Sequence, residues 1–295
     1  MRRRYDAEFK KIIEGFRYNR GVRELFADWL EIAACAIHQE PYHAGLVRRD
    51  EDFDRVEAQY LAAVKKYTRE ELDAFAKMLG IAKLALWEEH SDFLGRVYME
   101  LEMGDDRAGQ FFTPFEVSLM MAQINLKDAT AIIERKGFIT LSEPASGGGG
   151  MILAAAQVIA EQKYDPGQVM FFVATDVAPM CYHMTYLQTS ILGLSGIVQH
   201  ANSLSQQCWA YRFTPVCRVF PWRTNLFLAD INGEVVELDE AEPVEAKQPI
   251  TIPLQAALDI VIDSVEARTV KSIKAAKVEK PLSQEESLLK QGSLF

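Results

Sequence analysis

Four consecutive glycines, Gly147 to Gly150, stand in the stretch SEPASGGGGM, between a short apolar run and a good helix former. Few sequence features restrict a fold as tightly, because of what surrounds them. Residues 138–141 read as a short strand, 151–162 as a helix, 169–174 as an apolar, buried-type strand, 178–193 as a further helix, and Ile197-Val198 opens a third strand. That alternation predicts a parallel sheet with crossover helices, since parallel neighbours need a long connection. The glycine loop falls at a strand-to-helix turn, where such sheets bind nucleotides. Glycines let the chain turn tightly and let a ligand lie against the main chain, and the helix start beyond adds N–H donors.

Three ligands compete for this loop. A triphosphate loop needs Gly-x4-Gly-Lys-Ser/Thr, and no Lys follows here. A dinucleotide site asks for Gly-x-Gly-x-x-Gly; Gly147 and Gly149 fit, but Ile152 holds the third position. S-adenosylmethionine has no phosphate and needs no Lys. It asks for one acid at the first strand end, for its amino group, and a second after the next strand, for its ribose hydroxyls. Glu143 and Asp176 occupy those two places. A tight turn with no ligand is the remaining reading, and an acid at each strand end weighs against it.

The rest of the chain sets the frame. Residues 1–103 read as a helical domain: Leu25, Phe26, Trp29, Leu30, Ala33 and Ile37 keep a helical period, and Thr68-Arg-Glu-Glu71 is a capping-box start ahead of the stripe Leu72, Phe75, Ala76, Leu79. Residues 104–232 read as the α/β core, with Pro114 suited to the first turn of a helix. Residues 233–295 read as an acidic, then polar, flexible tail. At 49% hydrophobic and 25% charged the composition is that of a soluble globular protein. No apolar run approaches the roughly 18 residues of a membrane span, and the basic start MRRRYDAEF leads into no apolar signal region. The four cysteines lack metal or disulfide spacing, and the five histidines lack metal spacing. No metal site is expected, and the reading is of a cytoplasmic protein with free thiols. The net charge of −10 excludes a general basic coat but not a local basic patch.

Three ordered motifs, GQFFTP (109–114), EPASGGGGM (143–151) and ATDVAP (174–179), resemble those of N6-adenine DNA methyltransferases, in particular the modification subunit of type I restriction systems. SDFLGRVYMEL (91–101) is similar to the segment joining that family's helical domain to its core, and HANSLS (200–205) to the loop after its third strand, with Asn202 where the family usually has Asp. The resemblance runs from about residue 91 to 215. It implies an α/β chain in which a helical domain precedes a Rossmann-like, S-adenosylmethionine-dependent methyltransferase core. It implies that Phe112, Thr113 and Pro114 border the methionine end of the cofactor, that Glu143, Pro144, Ala145, Gly147, Gly148 and Gly149 form its loop, that Asp176 receives the ribose hydroxyls, and that Asn202 reads the adenine edge. The implied partners are DNA and a specificity or other restriction-system subunit, in a bacterial or mobile-element setting.

The family's catalytic Asn/Asp-Pro-Pro-Tyr/Phe does not occur in this chain. The nearest formal substitute is Asp263-Ser264, without the prolines or the aromatic residue, so no catalytic residue is assigned. The family sheet has several more strands after the third motif than the residues before the acidic segment suit, which makes a truncated core the expectation. Trp209, Trp222, Arg212, Arg218 and Arg223 form an aromatic and basic cluster suited to stacking on and clamping nucleic acid, or to plugging the sheet edge. Two function classes follow: a small adenine-N6 DNA methyltransferase, or an inactive methyltransferase-fold protein that binds DNA or a partner. The last residues, Gln291-Gly-Ser-Leu-Phe295, resemble the Gln-Leu-(Ser/Asp)-Leu-Phe peptide by which bacterial proteins dock on the DNA polymerase sliding clamp, with Leu294 and Phe295 as apolar anchors and Gln291 as polar registration. Deletion of residues 291–295 is expected to abolish binding to a purified clamp in surface plasmon resonance; unchanged binding would end the docking idea.

Overall fold

The structure, a computed structural model, describes residues 2–16, 21–89, 91–101, 112–221, 223–225 and 227. Residues 109–111 of the first motif, Trp222, Asp263, the tail 233–295 and its Gln291, Leu294 and Phe295 lie outside the described residues. Residues Met1–Thr224 cluster as one compact unit and Asn225–Phe295 as a second.

Five helices come first: α1 (Arg2–Gly15), α2 (Val22–His43), α3 (Glu51–Val64), α4 (Arg69–Glu88) and α5 (Phe93–Glu100). Each of the last three begins on a side chain that satisfies an orphan N–H of the first turn. Asp50 accepts from Phe53 N, and Asp92 from Gly95 N. Thr68 and Glu71 make the reciprocal capping box the sequence announces. The apolar stripe of α2, Leu25, Phe26, Trp29, Leu30, Ala33 and Ile37, is wholly buried. Phe9 sits edge-on to Trp29 at 4.9 Å and to Phe93 at 5.6 Å. Each such ring contributes about 1.5–3 kcal/mol by burial. Cys181, Met184 and Leu187 belong to the same cluster, so the helical layer shares its core with a crossover helix of the sheet.

After α6 (Phe115–Asn125) and α7 (Ala129–Lys136) comes the sheet: β1 (Ile139–Glu143), β2 (Met170–Asp176), β3 (Ser195–Asn202) and β4 (Gln207–Phe213) in the order β1-β2-β3-β4. Helices α8 (Gly150–Glu161) and the short α9 (Pro166–Val169) join β1 to β2, and α10 (Pro179–Ile191) joins β2 to β3. Both connections give parallel pairs, as the alternation predicts. β2 is the central apolar strand: Met170, Phe171, Phe172 and Ala174 are completely buried, as a strand covered on both faces requires. Pro114 is the N-cap of α6 rather than its first helical residue. Among the described residues no helix is long and apolar enough to cross a membrane.

The sheet departs from expectation at β4. It is antiparallel to β3 and closes a hairpin, and it is followed by α11 (Pro215–Val219). His200 to Asn202, read from sequence as loop, are the last three residues of β3. The signal was present: Trp209, Tyr211 and Phe213 alternate as strand residues do.

Two of the arginines expected on a nucleic-acid surface are instead internal. Arg212 is 3% exposed; its Nη2 donates to Gln59 Oε1 at 2.7 Å and to Cys35 Sγ at 3.4 Å, and its guanidinium lies over the Tyr186 ring. Arg218 donates to Tyr42 Oη at 2.6 Å and pairs with Asp52 and Asp50. Asp52 also meets His38 Nε2 at 2.9 Å, and His38 Nδ1 meets Tyr186 Oη at 3.1 Å. These contacts tie β4 and α11 to α2 and α3, and they remove Arg212 and Arg218 from any clamp on phosphate. The physical reason is pairing: a buried guanidinium needs hydrogen-bond acceptors, and both arginines find them, although Arg212 Nη1 and Arg218 Nε stay buried without one.

Burial drives the His38 pKa down to about 4, against the pull of Asp52. Burial pushes the Asp52 carboxyl up, but the His38 hydrogen bond and Arg218 outweigh it and hold that carboxyl below its usual range. His38 therefore takes up a proton more readily unfolded than folded. Stability is complete above about pH 6.5 and falls as the pH drops toward 4, by an amount on the order of 3 kcal/mol. In thermal melts across that window, His38→Gln is expected to flatten the acid loss only in part, because burial also lowers His183, to about 3.

Candidate active site at the carboxyl ends of the strands

β1 ends on Glu143, whose Oε1 turns back to accept from Ala145 N at 3.0 Å. Pro144 and Ala145 are exposed. The loop then crosses to β2: Ser146 N donates to Thr175 O at 2.9 Å, and Gly147 N to Asp176 Oδ2 at 2.8 Å. Gly147 (φ +55°) and Gly149 (φ +94°) hold left-handed conformations that only glycine adopts without strain, and α8 starts at Gly150. Glu143 and Asp176 thus stand at neighbouring strand ends on either side of the loop, in the crevice where α/β sheets take ligands.

What lies beneath the loop explains the remaining glycines. A Cβ on Gly148 would sit 2.8 Å from Asp92 Oδ1, and one on Gly147 would sit 3.2 Å from the Phe112 ring. The closest approaches to these two glycines therefore come from the chain itself. Gln188, on α10, is the joint. Its Nε2 donates to Gly148 O at 2.6 Å and to Asp92 Oδ1 at 2.8 Å, while its Oε1 accepts from Leu94 N at 3.0 Å. Thr185 donates to Gly147 O at 3.0 Å and lies 3.1 Å from Ser146 Oγ. Asp92, Thr185 and Gln188 are all buried. Burial pushes the Asp92 carboxyl up, opposed by the hydrogen bonds from Gln188 and Gly95 N.

The other expected residues fall as follows. Phe112 stacks on Tyr98 of α5, with centroids 5.0 Å apart, and leans on Gly147, so the aromatic-Thr-Pro segment does reach the glycine loop. Thr113 and Pro114 are exposed beside it. Asp176 spends Oδ1 on Ala178 N at 2.9 Å as well as Oδ2 on Gly147 N. A carboxylate accepts about four hydrogen bonds, so capacity for hydroxyls remains. Asn202 does not aim its carbonyl at the crevice: Oδ1 accepts from Leu204 N at 2.9 Å and Ser205 N at 3.0 Å. Trp209 is 46% exposed at the Asp176 end of the sheet, its ring 4.8 Å from that of His200, which pairs with Asp176 in register. Arg223 reaches Gly167 O, ahead of the start of β2 and hence at the opposite end. The aromatic and basic cluster of the sequence is therefore not one surface.

Sequence reasoning gave no role to Asp92, Thr185 or Gln188. The signal for Thr185 and Gln188 was a polar stripe, Thr185, Gln188 and Thr189, at helical spacing on a helix otherwise apolar enough to be buried. The model of the N-6 DNA methylase family matches residues 89–251, beginning just ahead of Asp92. No curated protein and no solved structure matches the chain. Gly148→Ala is expected to lower stability by about 1–3 kcal/mol through the clash with Asp92. Gly80→Ala, on α4 where an added methyl meets nothing within 4 Å, is expected to raise it by up to about 1 kcal/mol. Chemical denaturation of the two variants checks both.

Proposed function

The chain belongs to the N-6 DNA methylase family, and on that premise we propose that it binds S-adenosylmethionine at the carboxyl ends of β1 and β2 and methylates the exocyclic nitrogen of adenine in DNA. The observation that carries this reading is the pair of acids, Glu143 and Asp176, on adjacent parallel strands, with the glycine loop between them and held to one of them. The residues fit the group. Asp176 keeps acceptor capacity for the ribose hydroxyls after its two main-chain bonds, and Glu143 serves the amino group. Phe112, Thr113 and Pro114 line the approach to the methionine end, with the Thr113 hydroxyl exposed for its carboxylate.

When bound, the cofactor supplies an electrophilic methyl group on sulfur. The chain's own part is positioning. Gln188, Thr185 and Asp92 fix the loop before any ligand arrives, so its ordering entropy is spent in folding and not in binding. Phe112 covers Gly147 and excludes water from that side of the loop.

A second reading is favoured by one specific observation, the absence of Asn-Pro-Pro-aromatic. In it the chain keeps the cofactor or DNA site and acts as a binding partner of a restriction system or, through Gln291, Leu294 and Phe295, of the replication clamp. Transfer of labelled methyl from S-adenosylmethionine to unmethylated bacterial DNA decides. Incorporation is expected, and both Glu143→Ala and Asp176→Ala are expected to abolish it. Cofactor binding in calorimetry without incorporation by the unaltered chain would establish the second reading and overturn the first.

A further inference from the structure

The β3–β4 hairpin overhangs the proposed site. The last pair between β2 and β3 is Asp176 with His200, yet β3 runs on through Ala201 and Asn202, paired with β4 alone. At about 3.3 Å per residue, the turn at 203–206 stands on the order of 10 Å beyond Asp176. That turn is rigid. Asn202 Oδ1 holds the amides of Leu204 and Ser205, Asn202 O accepts from Gln206 N at 2.7 Å, and Gln206 takes a left-handed φ of +60° to close it. The side chain presented at its apex is Leu204, 95% exposed.

Trp209 stands behind the apex. Ala201 pairs with Cys208 and His200 with Ala210, which leaves Trp209 as the extra residue of a bulge. Bulges re-aim side chains beside functional sites. Here the bulge puts an indole against His200, itself fixed by Nε2 to Val177 O at 3.1 Å. A single exposed leucine is ordinary. Leu204, Trp209 and the exposed Val177, all at the edge that carries Asp176, are not isolated cases. Charge narrows the partner: in a chain of net charge −10, no Asp or Glu occurs between Asp176 and Asp230. A braced apolar tip, on a stretch of sequence that adds no acid beyond Asp176, suits a polyanion whose interior is apolar and stacked, which is duplex DNA.

We propose that the β3–β4 hairpin is a DNA-inserting finger, in which Leu204 wedges into the base stack and Trp209 stacks on the base so displaced. The inference rests on the methylase reading, which supplies duplex DNA as the substrate, and it assigns the hairpin to opening that substrate at the mouth of the site. Such a finger also accounts for Asn202: its side chain builds the tip and does not read the cofactor.

The test uses the full chain and mixed-sequence duplexes carrying 2-aminopurine at adenine positions. With the unaltered chain, 2-aminopurine fluorescence is expected to rise on binding as bases unstack. Leu204→Ser and Trp209→Ala are each expected to weaken duplex binding by roughly tenfold, and Leu204→Ser to suppress that rise as well, while Leu204→Met restores both. Calorimetry with S-adenosylmethionine should give the same affinity for Leu204→Ser as for the unaltered chain, which also shows that the variant is folded. An unaltered chain that binds neither cofactor nor duplex overturns the methylase reading and the finger with it. An unaltered chain that binds both, joined by a Leu204→Ser variant with equal duplex affinity and an equal fluorescence rise, overturns the finger alone.

Discussion

Gln188 is the side chain on which the site depends. It is completely buried, and its one amide joins its own helix, α10, to two other elements: the glycine loop through Gly148 O, and α5 through its cap, Asp92, and its first turn, Leu94 N. A buried amide that left any of these unmade would cost about 1–3 kcal/mol, so the three elements form or fail together. That coupling gives the helical layer a function. Asp92 caps α5, supports Gly148 from below and receives Gln188, and Tyr98, two turns along the same helix, carries Phe112 onto Gly147. The loop is shaped by the helices under it before any ligand is considered.

The β4 edge of the sheet is held by a different kind of joint. There the contacts are charged and polar: Asp52 pairs with Arg55 and Arg218 and hydrogen-bonds His38, and Arg212 runs alongside to Gln59 and Cys35. Removing one member would strand another inside, at about 3–5 kcal/mol. Such a network penalises any other seating of β4 and α11, because apolar packing alone would tolerate slippage where matched charges do not. It also accounts for an arginine-rich stretch that offers so little charge to solvent. The hairpin above it is left neutral rather than basic, so the DNA contact proposed there rests on shape and stacking more than on salt links.

The central architecture was legible because it rests on local signals. β2 is a continuous apolar run, the glycine loop needs left-handed turns at Gly147 and Gly149, and α4 carries its start signal in Thr68 and Glu71. β4 was passed over because Trp209, Arg212 and Arg218 look like a surface cluster when read by composition. The alternation of Trp209, Tyr211 and Phe213 was the better guide. Asp92 and Gln188 lie 96 positions apart, and no local pattern announces that they meet. The acids at the strand ends were legible as a pair, since topology alone brings them together. That Asp176 is already bound to Gly147 N was not, because it depends on how far the loop folds back.

Holding a cofactor and moving a methyl group place separate demands on this edge of the sheet. Holding needs acceptors in fixed positions, and Asp176 has them because two main-chain amides lock its carboxylate in place. Moving the methyl group needs, in addition, an acceptor for the hydrogens of the adenine amine. The described polar groups nearest the crevice are engaged with the chain itself: Glu143 with Ala145 N, Asn202 with its turn, and His200 Nε2 with Val177 O. Rigidity has been gained by committing part of each group's hydrogen-bonding capacity to the chain itself. The loop and its acids can therefore persist under selection for binding alone, whereas turnover requires one further group whose position none of these contacts dictates. That separation is why the proposed cofactor loop, the proposed finger and the hydrogen-bond acceptor for the adenine amine are treated as three distinct requirements, each with its own chemistry.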